Sequence, residues 1–232
     1  MEFPELTQRL AEVRGRIAEA RGRGGHGQDV RIIAVTKTHG EAAVREAAAA
    51  GITDVGENKV QEALGKQDAL VASGTMPAGL SWHLIGHLQT NKAKALPQFA
   101  LFHALDRGRL ADAASAVAVK QGVTLDVLMQ VNVAGEETKG GYAPAEVARE
   151  ADRLLELPGL RVVGVMTMAP FDADERVLRQ VFRGARDVGA ELRAAGHPAD
   201  ALSMGMSGDY EIAVEEGATL VRLGTVLFGS RS

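Results

Sequence analysis

One spelling recurs along this chain: a helix-forming stretch, a glycine, then an apolar run. It occurs at Ala49-Ala50-Gly51-Ile52, Pro77-Ala78-Gly79-Leu80, Lys120-Gln121-Gly122-Val123 and Leu157-Pro158-Gly159-Leu160. It returns at Ala194-Ala195-Gly196-His197-Pro198 and Glu215-Glu216-Gly217-Ala218. Glycine just past a helix adopts the left-handed C-terminal conformation without a Cβ penalty, so each copy marks a passage from helix to strand. The strands that follow are predicted at residues 52–56, 81–86, 125–131, 162–168, 201–204 and 219–223. A first strand at 30–36 and a weaker one at 101–105 complete a set of eight.

Helical patterns fill the intervals, most clearly at residues 41–50, 60–71, 108–120, 144–155, 174–195 and 209–216. An amphipathic helix at 4–21 precedes the first strand, with Pro4 suited to its first turn, and residues 23–27 read as a flexible connection. No composition shift marks a second domain, so residues 1–232 are expected to form one unit. Eight strands alternating with helices predict a closed (β/α)₈ TIM barrel with an extra N-terminal helix. An open doubly wound sheet is the alternative, because periodicity does not report closure. In a barrel the active residues gather at the C-terminal strand ends. Lys37, Glu57-Asn58, His87, Asn132, Thr167-Met168, the turn at 203–207 and Gly224-Thr225 would then ring one mouth.

Composition narrows the classes. Hydrophobic residues make up 46% and charged residues 24%, ordinary for a globular protein. The net charge of −4 argues against an extended nucleic-acid surface, and no Lys/Arg cluster is dense enough for anionic lipid. With no cysteine, disulfides, thiolate catalysis and cysteine-ligated zinc are excluded. The acidic stretch Met1-Glu2-Phe3-Pro4-Glu5-Leu6 lacks a signal-peptide core and no apolar run reaches membrane length, so a cytoplasmic protein is expected.

Lys37 closes the apolar run Val30-Arg31-Ile32-Ile33-Ala34-Val35-Thr36. In water roughly one lysine amine in 2,500 is unprotonated at pH 7. Partial desolvation at a strand end raises that fraction and makes such an amine a nucleophile for carbonyl groups. The plain alternative is a lysine that marks where the strand meets solvent. In Ser203-Met204-Gly205-Met206-Ser207-Gly208-Asp209, small residues let backbone N–H groups converge before a helix, which favours an anion such as phosphate. Ser207 adds a hydroxyl or serves as the helix cap. Gly224-Thr225 supplies a second close backbone approach after the eighth strand, where this fold customarily grips phosphate.

Arg222 either forms a structural pair inside the barrel or faces a ligand, and an arginine beside a pyridine nitrogen weakens that ring as an electron sink. His83 reads first as a core histidine, His87 as a strand-end residue, and Asn58 as a helix cap or a polar ligand contact. Lys139 reads as a solvated loop lysine. No histidine pair has metal-ligand spacing, and the serines lack the nucleophile-elbow pattern. A nucleophilic lysine opposite a phosphate grip suits a ligand with both an aldehyde and a phosphate: pyridoxal 5′-phosphate, or a sugar phosphate held as a Schiff base.

These residues lie in segments that resemble the YggS/PROSC family of pyridoxal phosphate homeostasis proteins, whose fold is similar to the N-terminal barrel of alanine racemase. The segments are Ala34-Val35-Thr36-Lys37-Thr38, Gly56-Glu57-Asn58-Lys59-Val60-Gln61-Glu62 and Trp82-His83-Leu84-Ile85-Gly86-His87-Leu88-Gln89-Thr90-Asn91-Lys92. Gln130-Val131-Asn132 with Glu137, Lys139 and Gly141 follows, then Gly164-Val165-Met166-Thr167-Met168. The last are Leu202-Ser203-Met204-Gly205-Met206-Ser207 with Asp209 and Glu211, then Val221-Arg222-Leu223-Gly224-Thr225 and Phe228-Gly229. Two departures stand out: Thr36 replaces the family's usual serine, and Thr38-His39-Gly40 replaces a loop that often carries proline.

The resemblance implies that Lys37 holds pyridoxal phosphate as a Schiff base and that Ser207, Gly224 and Thr225 hold its phosphate. It places Arg222 near the ring nitrogen or phosphate, and Asn58, His83 and Met206 along the pocket. Related racemases add a C-terminal β-domain carrying a tyrosine acid/base, and two-base racemisation needs a proton donor on each face. This chain ends shortly after the eighth strand, and its tyrosines, Tyr142 and Tyr210, lie outside the matching segments. The expectation is a monomeric cofactor carrier without high turnover, with pyridoxal-phosphate-dependent apo-enzymes as candidate recipients. A small racemase or lyase and a Schiff-base aldolase are the alternatives.

Overall fold

A computed structural model describes residues 2–136 and 138–229, so Glu137 lies outside the described residues. After α1 (Leu6–Gly24) the chain alternates regularly: β1 (Arg31–Val35), α2 (Glu41–Ala49), β2 (Asp54–Glu57), α3 (Val60–Ala72) and β3 (Ser81–Leu84). It continues with β4 (Leu101–Leu105), α4 (Gly108–Gln121), β5 (Leu125–Gln130), α5 (Val147–Leu155), β6 (Leu160–Met166) and α6 (Glu175–Ala194). The last units are β7 (Ala201–Ser203), α7 (Tyr210–Glu215), β8 (Leu220–Leu223) and the short α8 (Thr225–Phe228).

All eight strands are parallel and close in sequence order, with β1 paired to both β2 and β8. The barrel, and not the open sheet, is therefore the architecture. The six junction glycines at positions 51, 79, 122, 159, 196 and 217 all have positive φ, between 64° and 108°. Any other residue there would carry the left-handed Cβ penalty, so these glycines turn the chain back to the barrel; Gly79 and Gly159, however, do not end helices but lie in the loops beyond α3 and α5, which stop at Ala72 and Leu155.

Between β3 and β4, where the sequence pattern predicts no element, the chain forms a 3₁₀ helix, Thr90–Gln98. Its segment lacks a broad apolar stripe and contains Pro97, which removes an α-helical N–H, so the tighter i→i+3 pattern prevails. Helix α1 buries Leu6, Leu10, Val13, Ile17 and Ala20 on one face and packs against α7 and α8. Among the described residues no helix is long and apolar enough to cross a membrane.

Candidate functional site

Register places Lys37. Val35 pairs with Gly56 and Ala34 with Leu223, so the chain beyond Val35 runs between Asn58 on one side and Gly224-Thr225 on the other. A Cβ added to Gly224 would sit 3.6 Å from the Val35 Cβ, which confirms that the two strand ends lie side by side. Lys37 is half-buried and makes no hydrogen bond or ion pair with any described residue. An ammonium carried into a barrel mouth without a partner is what an aldehyde-binding lysine requires.

The backbone on both sides of Lys37 is held from outside the barrel. The Lys66 ammonium, buried under α3, donates to Thr36 O at 2.7 Å, Glu57 Oε1 at 2.6 Å and Glu62 Oε1 at 2.9 Å. Thr36 Oγ1 donates to the same Glu57 oxygen at 2.6 Å, a bond that a serine hydroxyl would make equally well. Glu62 also accepts the Thr38 N–H, and Thr38 sits at a φ of 67°. A β-branched residue in that region is strained, and such strain persists only where surroundings over-determine it. His39 completes the loop by packing edge-on against Phe3 at 5.3 Å and tilted against Phe228 at 5.3 Å. Burial pushes the Glu57 carboxyl up, against the pull of Lys66 and Thr36, and its Oε2 is buried without a partner.

On the Gly224 side of Lys37, the turn between β7 and α7 reaches the start of α8. Ser207 Oγ accepts the N–H groups of Gly224 and Val226, each at 3.3 Å, so two backbone donors and one hydroxyl converge there. Asp209 shapes the turn by accepting the Met206 N–H at 2.6 Å, while burial pushes its carboxyl up. Gly205 has a φ of 93°, and a Cβ would meet Ala213 Cβ at 2.7 Å and Tyr210 Cα at 2.9 Å. The turn can lie this close to α7 only with glycine there. Met206 is exposed on the rim.

Arg222 points into the barrel and is 5% exposed. Its Nη1 donates to Ser203 O at 2.8 Å and Ser203 Oγ at 2.6 Å, and its Nη2 donates to Thr167 O at 3.0 Å. These acceptors are all uncharged. Burial pushes the guanidinium down to about 10, with the Asp209 charge opposing. Of its five N–H groups, Nε–H and one Nη2–H have no acceptor among the described residues. Two unused donors on a buried cation suit a phosphate oxygen or a ring nitrogen.

The sequence family described as alanine racemase, N-terminal domain, matches residues 9–232. The pyridoxal phosphate homeostasis protein of Aquifex aeolicus is 43% identical over 227 residues, covering 97% of each chain. That of Pseudomonas aeruginosa is 41% identical over 228 residues, covering 97% of this chain and 96% of its own. The chain belongs to the pyridoxal phosphate homeostasis protein family. Among solved structures, PipY of Synechococcus elongatus with pyridoxal phosphate bound has a TM-score of 0.83 at 36% identity, covering 97% of this chain and all of PipY.

In this member of the pyridoxal phosphate homeostasis family, the mouth brings together Lys37, Asn58, Met206, Ser207, Gly224 and Thr225, with Arg222 beneath them. Asn58 is not a helix cap: Lys59 holds the cap position of α3 without a side-chain bond, and the Asn58 carboxamide bonds to no described residue. His83 is a correction. It is 2% exposed and both ring nitrogens are taken, Nε2 by Asp54 at 2.9 Å and Nδ1 by His103 at 2.9 Å, so it packs in the core below the pocket.

Lys139 also differs from expectation, because it pairs with Glu136 at 2.9 Å and donates to Ala169 O at 2.8 Å instead of standing in solvent. His87 stays largely exposed and bonds Asp106 at 2.7 Å. Sequence reasoning missed Asp54, His103 and Lys66. The signal available was a polar residue inside an apolar strand, as in Leu101-Phe102-His103-Ala104-Leu105.

Proposed function

We propose that this chain binds pyridoxal 5′-phosphate reversibly through Lys37 and serves cytoplasmic cofactor homeostasis, as a monomer that stores the cofactor and passes it to pyridoxal-phosphate-dependent apo-enzymes. The observation that carries the reading is an unpartnered, half-buried amine set beside a convergent set of N–H and hydroxyl donors, above an arginine with two unused donors. The relatives' shared name and the cofactor bound to PipY support it. When bound, pyridoxal phosphate supplies an aldehyde that condenses reversibly with an amine.

The chain's own residues divide the remaining tasks. Ser207, Gly224 and Thr225 offer neutral donors to a phosphate, Arg222 supplies the positive charge, and Asn58 offers a carboxamide at the side of the mouth. Both tyrosine hydroxyls are buried without a hydrogen-bond partner among the described residues. Burial pushes the Tyr142 hydroxyl up, with the Glu150 charge adding, and burial also pushes Tyr210 up where it packs in α7. Holding, not turnover, is what this set of groups supports.

Borohydride reduction of protein incubated with pyridoxal phosphate should fix one cofactor at Lys37, read by peptide mass spectrometry, and Lys37→Ala should lose the adduct. Fast α-deuterium exchange into amino acids, lost in the same variant, would instead establish an enzyme such as a racemase. Sedimentation and cell fractionation test the monomer and the compartment, and restoration of activity to an apo-enzyme tests delivery.

A further inference from the structure

Five side chains from five strands form one hydrogen-bonded string through the barrel interior. From the mouth downward they are Arg222 on β8, Ser203 on β7, His103 on β4, His83 on β3 and Asp54 on β2, all buried. The successive distances are 2.6, 2.9, 2.9 and 2.9 Å. β4 and β7 are not neighbours in the closed sheet, so the bond between His103 and Ser203 crosses the interior. Asp54 opens β2 and lies 3.4 Å from Arg31, the first residue of β1, at the barrel end opposite Lys37.

The string has one consistent direction. Arginine only donates, so the Ser203 oxygen accepts from Arg222 and its own proton goes to His103 Nδ1. His103 Nε2–H then donates to His83 Nδ1, and His83 Nε2–H donates to Asp54. In the opposite sense Ser203 would receive two N–H groups while its own proton had no acceptor. Burial, with His83 and the charges of Arg222 and Arg31 adding, holds His103 well below the ordinary imidazole range, so it relays direction while staying neutral. Burial opposes ionisation of Asp54, but the bonds from His83 and Thr53 outweigh it and keep its carboxyl below the usual range.

We propose that Asp54, acting through His83, His103 and Ser203, is a positioning residue for Arg222. Its carboxylate accepts the last N–H of the string and so reinforces the sense that Arg222 imposes, which keeps the Ser203 oxygen turned to the guanidinium and holds Arg222's two unused donors in one orientation. The role in cofactor binding rests on the pyridoxal phosphate reading above; the directional string itself does not.

Two measurements test it. In cofactor-free protein, histidine ring nitrogen shifts should report a single Nε2–H tautomer for His103. Asp54→Leu, which leaves the buried His83 Nε2–H without an acceptor, should weaken that preference, and Asp54→Asn, which keeps an acceptor oxygen, should retain it. In protein incubated with pyridoxal phosphate at fixed pH, Asp54→Leu should displace the visible absorption band and weaken affinity roughly tenfold, the equivalent of one net hydrogen bond. Asp54→Asn should restore both. Ser203→Ala, which cuts the string beside Arg222 with little change in volume, should repeat the band shift and serves if Asp54→Leu does not fold. An unchanged His103 tautomer, or a wild-type band and affinity in a folded Asp54→Leu or Ser203→Ala protein, would overturn the proposal. Wild-type protein that takes up no pyridoxal phosphate would instead sink the functional reading, leaving the tautomer result to stand or fall alone.

Discussion

Thr36 and Thr38 bracket Lys37, and their backbones are tied to α3 by Lys66 and Glu62, neither of which reaches the mouth. Lys66 spends its three protons on Thr36, Glu57 and Glu62, so its ammonium is fully satisfied while buried. Removing one partner of such a cluster leaves an uncompensated charge. Lys66→Met should therefore destabilise the fold by about 3–5 kcal/mol, read from urea denaturation midpoints. The same change should loosen Lys37, so borohydride labelling should fall even in the fraction that remains folded. Lys37 itself was legible in the sequence as a cation closing a β-branched run. The residues that hold it were not, because Lys66 sits 30 positions from Thr36 and reads as an ordinary helix lysine.

At the scale of elements, α7 is only six residues long and is clamped from both sides by arginines. Glu216 at its end meets Arg183 at 2.9 Å, Arg179 at 3.1 Å and Arg186 at 3.5 Å, while Glu215 meets Arg23 at 2.5 Å and Arg179 at 2.6 Å. Burial opposes ionisation of both carboxyls, yet the arginines outweigh it and hold both below the ordinary value of 4.5. A carboxyl depressed in the folded state stabilises at pH above its unfolded value and loses that contribution as pH falls through its folded value. Thermal unfolding of wild type should thus lose its advantage over Glu216→Gln as pH drops below 4.5, with the full difference present at neutral pH. A difference that persists unchanged into acid would remove the ion pairs as its cause. Because α7 carries the Ser207 turn, the clamp links the outer helices to the mouth. Helix boundaries were largely legible from the glycine junctions. The 3₁₀ helix was not, since three residues per turn leave no broad apolar stripe to read.

For the whole molecule, closure joins β1 to β8 and thereby sets Lys37 beside Gly224. Occupation of that junction should stabilise the barrel by mass action, about 2.7 kcal/mol at a cofactor concentration one hundred times the dissociation constant. Pyridoxal phosphate should raise the melting temperature of wild type and leave Lys37→Ala much less affected at equal concentration. Eight strands, their order and the six turn glycines follow from local signals, because glycine conformation and apolar runs act over a few residues. The Ser207 turn and the lysine were legible for the same reason. The interior string was not: His103 and Ser203 are 100 residues apart, and only closure of the sheet brings them within 2.9 Å. The sequence by itself determined the repeating unit and the residue types at the strand ends. The tertiary structure alone decided which of them face one another, that His83 belongs to the core, and that a string of hydrogen bonds joins Arg222 to Asp54 at the far end of the barrel.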